Sequence, residues 1–208
     1  MAGSAHVPTG ARRLGLERRA FLDLLQMANT LAEPRELARQ LVVLAQHLSG
    51  CEAVAIRLKS GPGYPYAAYL GFPPRFIAME NDLCSRDEAG HLQRDGERRP
   101  LLACLCGRVL TCQLDRGQRF ATDRGSFIAS STSQLLGSPE AGCLGQIRGR
   151  CGVEGYETLG LFPIRRDDVT YGLIQCNDPR PNRLTADGID LMEHLAASAA
   201  HLFQLTMA

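Results

Sequence analysis

The sequence predicts an α+β domain in which terminal helices cover one face of a central antiparallel sheet and an irregular lid covers the other. Thr158–Ile164 and Val169–Cys176 are almost continuously apolar, as strands buried on both faces usually are. The four charged residues between them, at positions 165–168, have a length suited to a hairpin turn. Apolar residues recur at helical spacing near both ends of the chain, so helices are expected to pack on this sheet.

The first part of the chain predicts two helices, a pair of strands and a short third helix. In the second helix, leucines recur every three or four residues, Pro34 suits its first turn and Gly50 suits its end. The predicted elements are a helix beginning near Leu16, a helix from Pro34 to Ser49, strands Cys51–Leu58 and Tyr64–Leu70, and a helix at Arg75–Glu80.

The middle of the chain predicts an exposed excursion followed by a lid. Residues 82–100 are polar and punctuated by glycine, which is typical of a solvated loop or small hairpin. Residues 101–110 return to the interior, and residues 111–150 form a long span rich in Gly and Ser in which no strand is predicted. A long span without strands usually packs over another part of the fold, often over a bound ligand. We therefore predict that residues 101–151 form a lid over the sheet.

A helix from about Ala186 to Leu205 closes the predicted fold. Thr185 is placed to cap this helix, and Asp187 lies in its positive first turn. The inner stripe is expected to consist of Ile189, Met192, Ala196, Ala199 and Phe203. We therefore expect one domain over residues 16–208, preceded by a flexible tail over residues 1–15.

Composition and charge exclude several classes of partner. The chain has 208 residues, of which 45% are hydrophobic and 22% charged, with a net charge of +1. Its arginines are interleaved with acids, so a nucleic-acid partner is not expected. No apolar run is long enough for a membrane span or a secretory signal, which favours a cytoplasmic protein.

Cysteine is the most unusual residue type in this composition, with eight in the chain. Cys84, Cys104, Cys106 and Cys151 all lie in or beside the predicted lid. Thiolates are suitable ligands for zinc or an iron–sulfur cluster, and four is the usual number. These four cysteines are therefore a candidate metal site, with zinc or an iron–sulfur cluster as the cofactor.

Two other interpretations of the cysteines stay open. Buried free cysteine often packs as a small hydrophobic residue, and thiols can also serve redox chemistry or haem attachment. Cys51 begins an apolar strand and Cys176 lies within another, so both are expected in the core. Cys112 and Cys143 lie in polar segments.

The ordered set of motifs resembles the GAF domain, a small-molecule-sensing module of signalling proteins. The resemblance runs from about Phe21 to Phe203 and implies a GAF/PAS-like fold with a ligand pocket. It is carried by the strand CEAVAIRL after a helix ending in Gly, by Leu105-Cys106-Gly107-Arg108-Val109, which is similar to the family's turn over the pocket, and by the strand pair LGLFPI and YGLIQCND.

A narrower resemblance is to GAF domains attached to bacterial sensor histidine kinases. It implies a role in signal transduction, a homodimer through the terminal helices, and a histidine kinase or other signalling output domain as partner. The segments that carry it are Asn81–Cys84, Cys104–Gly107, Gly125–Phe127, Ser131–Leu136 and Arg148–Glu157.

Candidate ligand-binding residues cluster in the second half of the lid. Hydroxyls after Gly125 can hold a polar ligand over the sheet, although they can equally cap a helix. The two arginines beside Cys151 can hold an anion or lower the pKa of that thiol, although paired surface arginines are common. The candidate set is Ser126, Phe127, Ser131, Thr132, Arg148, Arg150 and Tyr156.

An enzymatic alternative rests on a second resemblance. Some GAF domains are free methionine-R-sulfoxide reductases, and the positions of Cys106 and Cys151 are similar to those of two cysteines of that group. The resemblance implies thiolate attack on the sulfoxide and a resolving cysteine. This chain lacks tryptophan and the Gly-Pro-Phe-Gln segment of that group, so a non-enzymatic sensor is favoured. An interaction module with a filled pocket is the third class.

Overall fold

A computed structural model of the chain describes residues 33–145 and 147–207, together with Gly15, Arg19, Leu22 and Gln26. Within these residues, five strands form one antiparallel sheet in the order β2-β1-β5-β4-β3. The strands are β1 (Ala53–Leu58), β2 (Tyr66–Leu70), β3 (Phe127–Ala129), β4 (Thr158–Arg166) and β5 (Val169–Asp178). The predicted α+β class and antiparallel sheet are thereby confirmed.

The helices fall into a terminal pair and a set of short lid helices. The terminal pair is α1 (Pro34–Ser49) and α6 (Ala186–Thr206). Between them lie α2 (Pro74–Glu80), α3 (Cys104–Leu110), α4 (Thr132–Leu136), a 3-10 helix (Pro139–Leu144) and α5 (Arg150–Val153).

Local signals in the sequence explain the limits of the terminal helices. Pro34 occupies the first turn of α1, and Gly50 ends that helix with a φ of 61°, which is a left-handed conformation that glycine adopts without strain. The Thr185 side chain accepts a hydrogen bond from the Gly188 N–H at the start of α6. These three predictions of helix ends are confirmed.

The terminal helices pack together on one face of the sheet. Alternate residues of β1 and β5 lie in the same core cluster as the inner faces of α1 and α6. They include Val54, Ile56 and Cys176. We call this the helix face. Burial of this apolar surface is the main stabilising contribution to the fold.

The opposite face, the lid face, carries the intervening residues of the same strands. Two rows of paired residues cross it. The first row is Ala55, Gln175, Leu161 and Phe127, and the second is Ala53, Asn177, Leu159 and Ala129. The α3–α5 segment packs over the second half of these rows, and α2 packs over the β1 end.

One expectation about the middle of the chain is wrong. The span 111–150, in which no strand was predicted, contains the short strand β3 at the sheet edge. Residues 104–110, which were expected in the interior, form helix α3. Three residues of β3 give no detectable period, so only pairing with β4 defines that strand. The excursion at 82–100 is folded by three isolated bridges, Cys84 with Leu102, Arg86 with Leu92 and Arg94 with Pro100.

The predicted N-terminal tail and most of the predicted first helix lie outside the described residues. Gly15, Arg19, Leu22 and Gln26 are described, and each is helical and exposed. No helix in the described part of the chain combines the length and the apolar character needed to cross a bilayer.

Candidate functional site

Two buried amides occupy the centre of the lid face. Gln175 and Asn177 alternate along β5 and are 1% and 0% exposed. Their side chains point the same way because alternate residues of a strand share a face. Gln175 Nε2 donates a hydrogen bond of 3.0 Å to Asn177 Oδ1. We call these two residues the amide pair.

Two lid cysteines meet the amide pair from above. The Cys106 thiol, on α3, donates to Gln175 Oε1 at 3.9 Å. Gln175 Nε2 donates to Cys151 Sγ, on α5, at 4.0 Å. One glutamine amide therefore contacts two thiols contributed by different lid helices.

The residue after Cys106 has to be glycine for α3 to sit this close to its neighbours. A Cβ at Gly107 would lie 2.5 Å from the Leu102 carbonyl oxygen, a distance that real Cβ atoms do not adopt. The Cys-Gly sequence in the lid is therefore a packing requirement at the position where α3 approaches the preceding segment.

An arginine and a tyrosine complete the floor of the site. The Tyr66 hydroxyl donates to Gln175 Oε1 at 3.1 Å. Arg57 is wholly buried and donates to the carbonyl oxygens of Glu80 at 2.6 Å and Tyr64 at 2.9 Å. Its other contact, to the Asn81 carbonyl oxygen, is 3.3 Å long. This cation is held by backbone dipoles rather than by a hydrogen-bonded carboxylate of the described residues.

Two buried donors of the floor have no hydrogen bond with any described residue. They are Arg57 Nε and Asn177 Nδ2. Leaving a buried donor unpaired costs about 1–3 kcal/mol, so each of these atoms calls for a partner, which can be a water molecule or a ligand.

Burial keeps both contacting thiols protonated at neutral pH. It raises the pKa of Cys106 far above its ordinary value, and the Arg57 charge only partly opposes this shift. Burial raises the pKa of Cys151 to about 12, and the Asn177 amide, which would stabilise the thiolate, works against it. In the closed lid neither sulfur is therefore an activated nucleophile.

An apolar slot lies between the lid helices and the β3–β4 edge of the sheet. It holds about 40 Å³ of free space, well below the roughly 300 Å³ of an ordinary ligand pocket. Cys104, Cys106 and Cys151 line it together with apolar residues, which include Leu105, Phe127, Ala129, Leu159 and Leu161. We call it the lid slot, and its Cys106 and Cys151 end adjoins the amide pair.

Ion pairs hold the second half of the lid to α2. The buried Glu80 carboxylate lies 3.6 Å from Arg150 Nε and 3.8 Å from Arg148 Nη1. Arg148 also donates to the Asp82 carbonyl oxygen at 2.8 Å. The two arginines predicted to hold a ligand therefore pair with an internal carboxylate, and Arg150 also lines the lid slot.

The other predicted ligand residues divide between the two faces. Phe127 and Thr132 line the lid slot. The Ser126 hydroxyl donates to Glu193 Oε1 on α6 at 2.7 Å, which directs it away from the lid. Ser131 caps α4 by accepting from the Gln134 N–H, as the alternative interpretation expected. Tyr156 packs edge-on against Phe72 and Phe76.

The four cysteines predicted to bind a metal are not brought together. Cys104, Cys106 and Cys151 lie around the lid slot, whereas the Cys84 thiol is directed at the Pro62 carbonyl oxygen at 3.7 Å. Among residues 33–145 and 147–207, no three His, Cys, Asp or Glu side chains are grouped so that they could hold a metal ion. The structure thus gives zinc or an iron–sulfur cluster no support, and that centre stays a prediction for metal analysis to test.

The residues that form the floor were not among the predicted site residues. Gln175, Asn177 and Arg57 are polar residues inside strands that were identified by their apolar character. Their spacing of two along a buried strand was an available signal, because it puts both amides of β5 on one face. Buried polar groups in a core are costly, which makes such positions candidates for function.

Comparison with known proteins gives one family match. The sequence model of the family described as GAF domain matches residues 33–202. No match is found among curated proteins. The structure is similar to the GAF domain of an Acinetobacter phosphoenolpyruvate-protein phosphotransferase, with a TM-score of 0.59, 14% identity and 95% coverage of both chains.

Two further solved structures are similar at low identity. A domain of a two-component sensor histidine kinase protein from Sinorhizobium meliloti 1021 matches with a TM-score of 0.54 and 14% identity, covering 83% of this chain and 92% of that one. A free methionine-R-sulfoxide reductase from Neisseria meningitidis, solved with its substrate, matches with a TM-score of 0.61 and 10% identity, covering 99% and 98%. These likenesses show a shared fold.

Proposed function

The chain belongs to the GAF domain family, and from that premise we propose that it is the signal-sensing domain of a bacterial signal-transduction protein. In this proposal it binds a small molecule between the sheet and the lid. It is not itself an enzyme, and it serves an output domain such as a histidine kinase, the class of protein named in the description of the similar Sinorhizobium meliloti domain.

One observation carries this proposal: two thiols that line an apolar slot also contact buried, incompletely paired polar groups. Cys106 and Cys151 line the lid slot and contact Gln175 of the amide pair, and Asn177 Nδ2 has no hydrogen bond with any described residue. Ligand pockets combine apolar walls with a few convergent polar groups in this way. If this region were only a structural core, apolar side chains in place of both amides would cost little stability.

Strand β5 links this pocket to the terminal helices. Gln175 and Asn177 face the lid, whereas Cys176 between them is 0% exposed on the helix face. A ligand that shifts the amide pair therefore acts on a strand whose other side contacts α1 and α6. A change in that packing is the proposed signal.

The proposed output geometry is a homodimer through α1 and α6. Val43 and Leu205 are large apolar residues on these helices, and they are 43% and 53% exposed. The proposed setting is the cytoplasm, because all eight cysteines are unpaired thiols and a reducing compartment keeps them so. Light scattering of the purified chain tests the dimer.

Thermal denaturation with a metabolite library tests the ligand-sensing proposal. Ala129→Leu places a larger side chain in the lid slot, and Ala78→Leu makes the same change at an exposed position of α2 as the control. A true ligand raises the Tm of the wild-type and control proteins and not that of Ala129→Leu. A library that stabilises none of the three, or all three equally, contradicts the proposal.

Thiol-based reduction of free methionine-R-sulfoxide is the second candidate, favoured by the approach of Cys106 and Cys151 to one amide. One thiolate would attack the sulfoxide sulfur and take its oxygen as a sulfenic acid, releasing methionine. The second thiol would then form a disulfide with loss of water, and an external thiol would restore both. The raised pKa values of both thiols require the lid to open first.

Turnover of the sulfoxide with dithiothreitol decides this candidate. Cys106→Ser should abolish turnover, whereas Cys143→Ser, which alters an exposed thiol, should not. Turnover that survives Cys106→Ser rejects the assignment.

A further inference from the structure

Resting on the proposed ligand-sensing function, we propose that the ligand is a small carboxylate with a short unbranched apolar tail. Its head group replaces Cys151 on the amide pair, and its tail fills the lid slot. Three features support this assignment: the unpaired donors of the floor, the position of the slot, and the short α5 between two glycines.

The floor offers donors and positive charge but few acceptors. Asn177 Nδ2 and Arg57 Nε are both buried without a hydrogen bond to a described residue. The second N–H of Gln175 Nε2 makes only a long 4.0 Å contact with the Cys151 sulfur, which is a weak acceptor. A carboxylate accepts from several such donors at once and forms stronger hydrogen bonds than a neutral group.

The charges around the site are mixed. Arg57 is buried and its hydrogen bonds go to backbone carbonyl oxygens. The Glu80 carboxylate faces Arg148 and Arg150, so one internal carboxylate is shared between two further cations. Burial apart, Glu80 raises the pKa of Cys151 more than Arg57 lowers it, so the preference for an anion rests on the hydrogen-bond donors of the floor rather than on net charge.

The slot and Asn177 lie along the same row of the sheet. Asn177 pairs with Leu159, and Leu159 pairs with Ala129 in the same row of the sheet. Leu159 and Ala129 both line the lid slot, so a chain that leaves the head group at Asn177 runs over them. The slot holds about 40 Å³ in the closed lid, which limits the tail to a few methylene groups unless the lid moves further.

Helix α5 is the lid element that has to move for a head group to replace Cys151. It has four residues, of which Arg150 and Cys151 are half-buried and Gly152 and Val153 are exposed. It lies between Gly149 and Gly155, both of which have positive φ values and no atom within 4 Å of a Cβ position. Withdrawal of α5 removes the Cys151 sulfur from Gln175 and opens the slot to the amide pair.

Calorimetric titration of the whole chain with hexanoate, hexanol and hexylamine tests the head group. Hexanoate should bind at least about tenfold more tightly than hexanol, since a hydrogen bond to a charged group is worth about that factor. Hexylamine should not bind. Across acetate, butanoate and hexanoate the affinity should rise about fourfold for each added methylene.

Variants assign the donors. Asn177→Leu should weaken hexanoate binding about tenfold and leave hexanol binding unchanged. Gln113→Leu, at an exposed amide, is the matched control and should change neither. Cys151→Ala should strengthen hexanoate binding because the group that the carboxylate displaces is gone. This variant keeps the test usable if Asn177→Leu does not fold.

The outcomes separate this inference from the proposed function. Equal affinity for hexanol and hexanoate, or hexanoate binding that Asn177→Leu does not weaken, overturns the carboxylate assignment while leaving a ligand pocket in place. Failure of every probe to bind also overturns the assignment, and the metabolite screen with Ala129→Leu then decides whether the slot binds any ligand.

Discussion

The guanidinium carbon of Arg57 lies 3.6 Å from the centre of the Tyr66 ring. A wholly buried cation thus rests on an aromatic face, and the Tyr66 hydroxyl continues the contact to Gln175. Arg57 also binds backbone carbonyls at the end of α2 and in the β1–β2 connection. The floor of the site is therefore fixed by a connected network of polar contacts, whereas the lid above it is held by apolar packing on the sheet and by the Glu80 ion pairs.

Replacement of Arg57 should be costly for stability. Arg57→Lys keeps the charge but loses the forked geometry that reaches several carbonyls, so we expect a loss of about 2–4 kcal/mol in the free energy of unfolding. Tyr66→Phe removes one hydrogen bond and should cost about 1 kcal/mol. Urea denaturation measures both. Arg35→Lys, at an exposed position of α1, is the control and should change stability little; an equally small effect of Arg57→Lys would contradict the network.

Thiol labelling should report the lid. With iodoacetamide, Cys112 and Cys143 should react first because both are exposed, and Cys51, Cys106 and Cys176 last because they are buried. Glu80→Gln weakens the pairing with Arg148 and Arg150, so Cys151 should react about fivefold faster, the factor that corresponds to about 1 kcal/mol. Mass spectrometry of the labelled peptides gives each rate.

The control for the labelling experiment is Glu36→Gln, which removes an exposed pair on α1. It should leave the rate at Cys151 unchanged. If Glu80→Gln also leaves that rate unchanged, the ion pairs do not hold α5.

The sequence was sufficient to predict the layers of the fold because periodic apolar residues decide them. Helix α6 shows this well: Met192, Ala196, Ala199 and Phe203 of its predicted stripe are buried, and Ile189 is half-buried against the same core. Strand β3 could not be predicted, since three residues carry no period and their pairing with β4 depends on distant sequence.

The site was less predictable than the fold because cysteine count drew the prediction towards metal chemistry. Four thiols in one lid suggested a shared centre, but the bridge of Cys84 with Leu102 points that thiol at Pro62. The amide pair was not predicted because the apolar residues of β5 identified that strand, and the two amides at alternate positions were not recognised as a pattern of their own. Here both faces are covered, so the amides are internal.

Stability should fall at alkaline pH. The pKa of Cys151 is raised by burial from 9.0 to about 12, and that of Cys106 is raised in the same direction. A folded-state pKa above the unfolded value stabilises the protein fully below pH 9, and this stabilisation is lost as the pH rises towards 12. Each thiol should lower the free energy of unfolding by about 1.4 kcal/mol per pH unit above pH 9.

Urea denaturation at several pH values between 7.5 and 10.5, with a phosphine reductant, measures this dependence. Cys151→Ala should reduce the alkaline slope by the contribution of one thiol, whereas Cys143→Ala, at an exposed thiol, should leave it unchanged. If the free energy of unfolding falls equally steeply with pH for Cys151→Ala and for the wild type, the Cys151 thiol has the same pKa in the folded protein as in the unfolded chain.

Backbone strain at the rim of the lid slot should be relieved by glycine. Cys104 begins α3 with a φ of 66°, a left-handed conformation that costs a residue with a Cβ about 1 kcal/mol. Cys104→Gly should therefore stabilise the protein by up to about 1 kcal/mol, while Cys104→Ala retains the strain.

The control is Cys143→Gly, because Cys143 lies in the 3-10 helix and is not among the positive-φ residues. This change should destabilise the protein by about 0.5–1 kcal/mol. Thermal or urea denaturation compares the three variants, and equal losses for Cys104→Gly and Cys143→Gly would show that the Cys104 backbone is not strained. Cys104 also lines the lid slot. If Cys104→Gly is more stable than the wild type and binds hexanoate with a different affinity, the left-handed backbone costs stability and the Cys104 side chain contributes to binding.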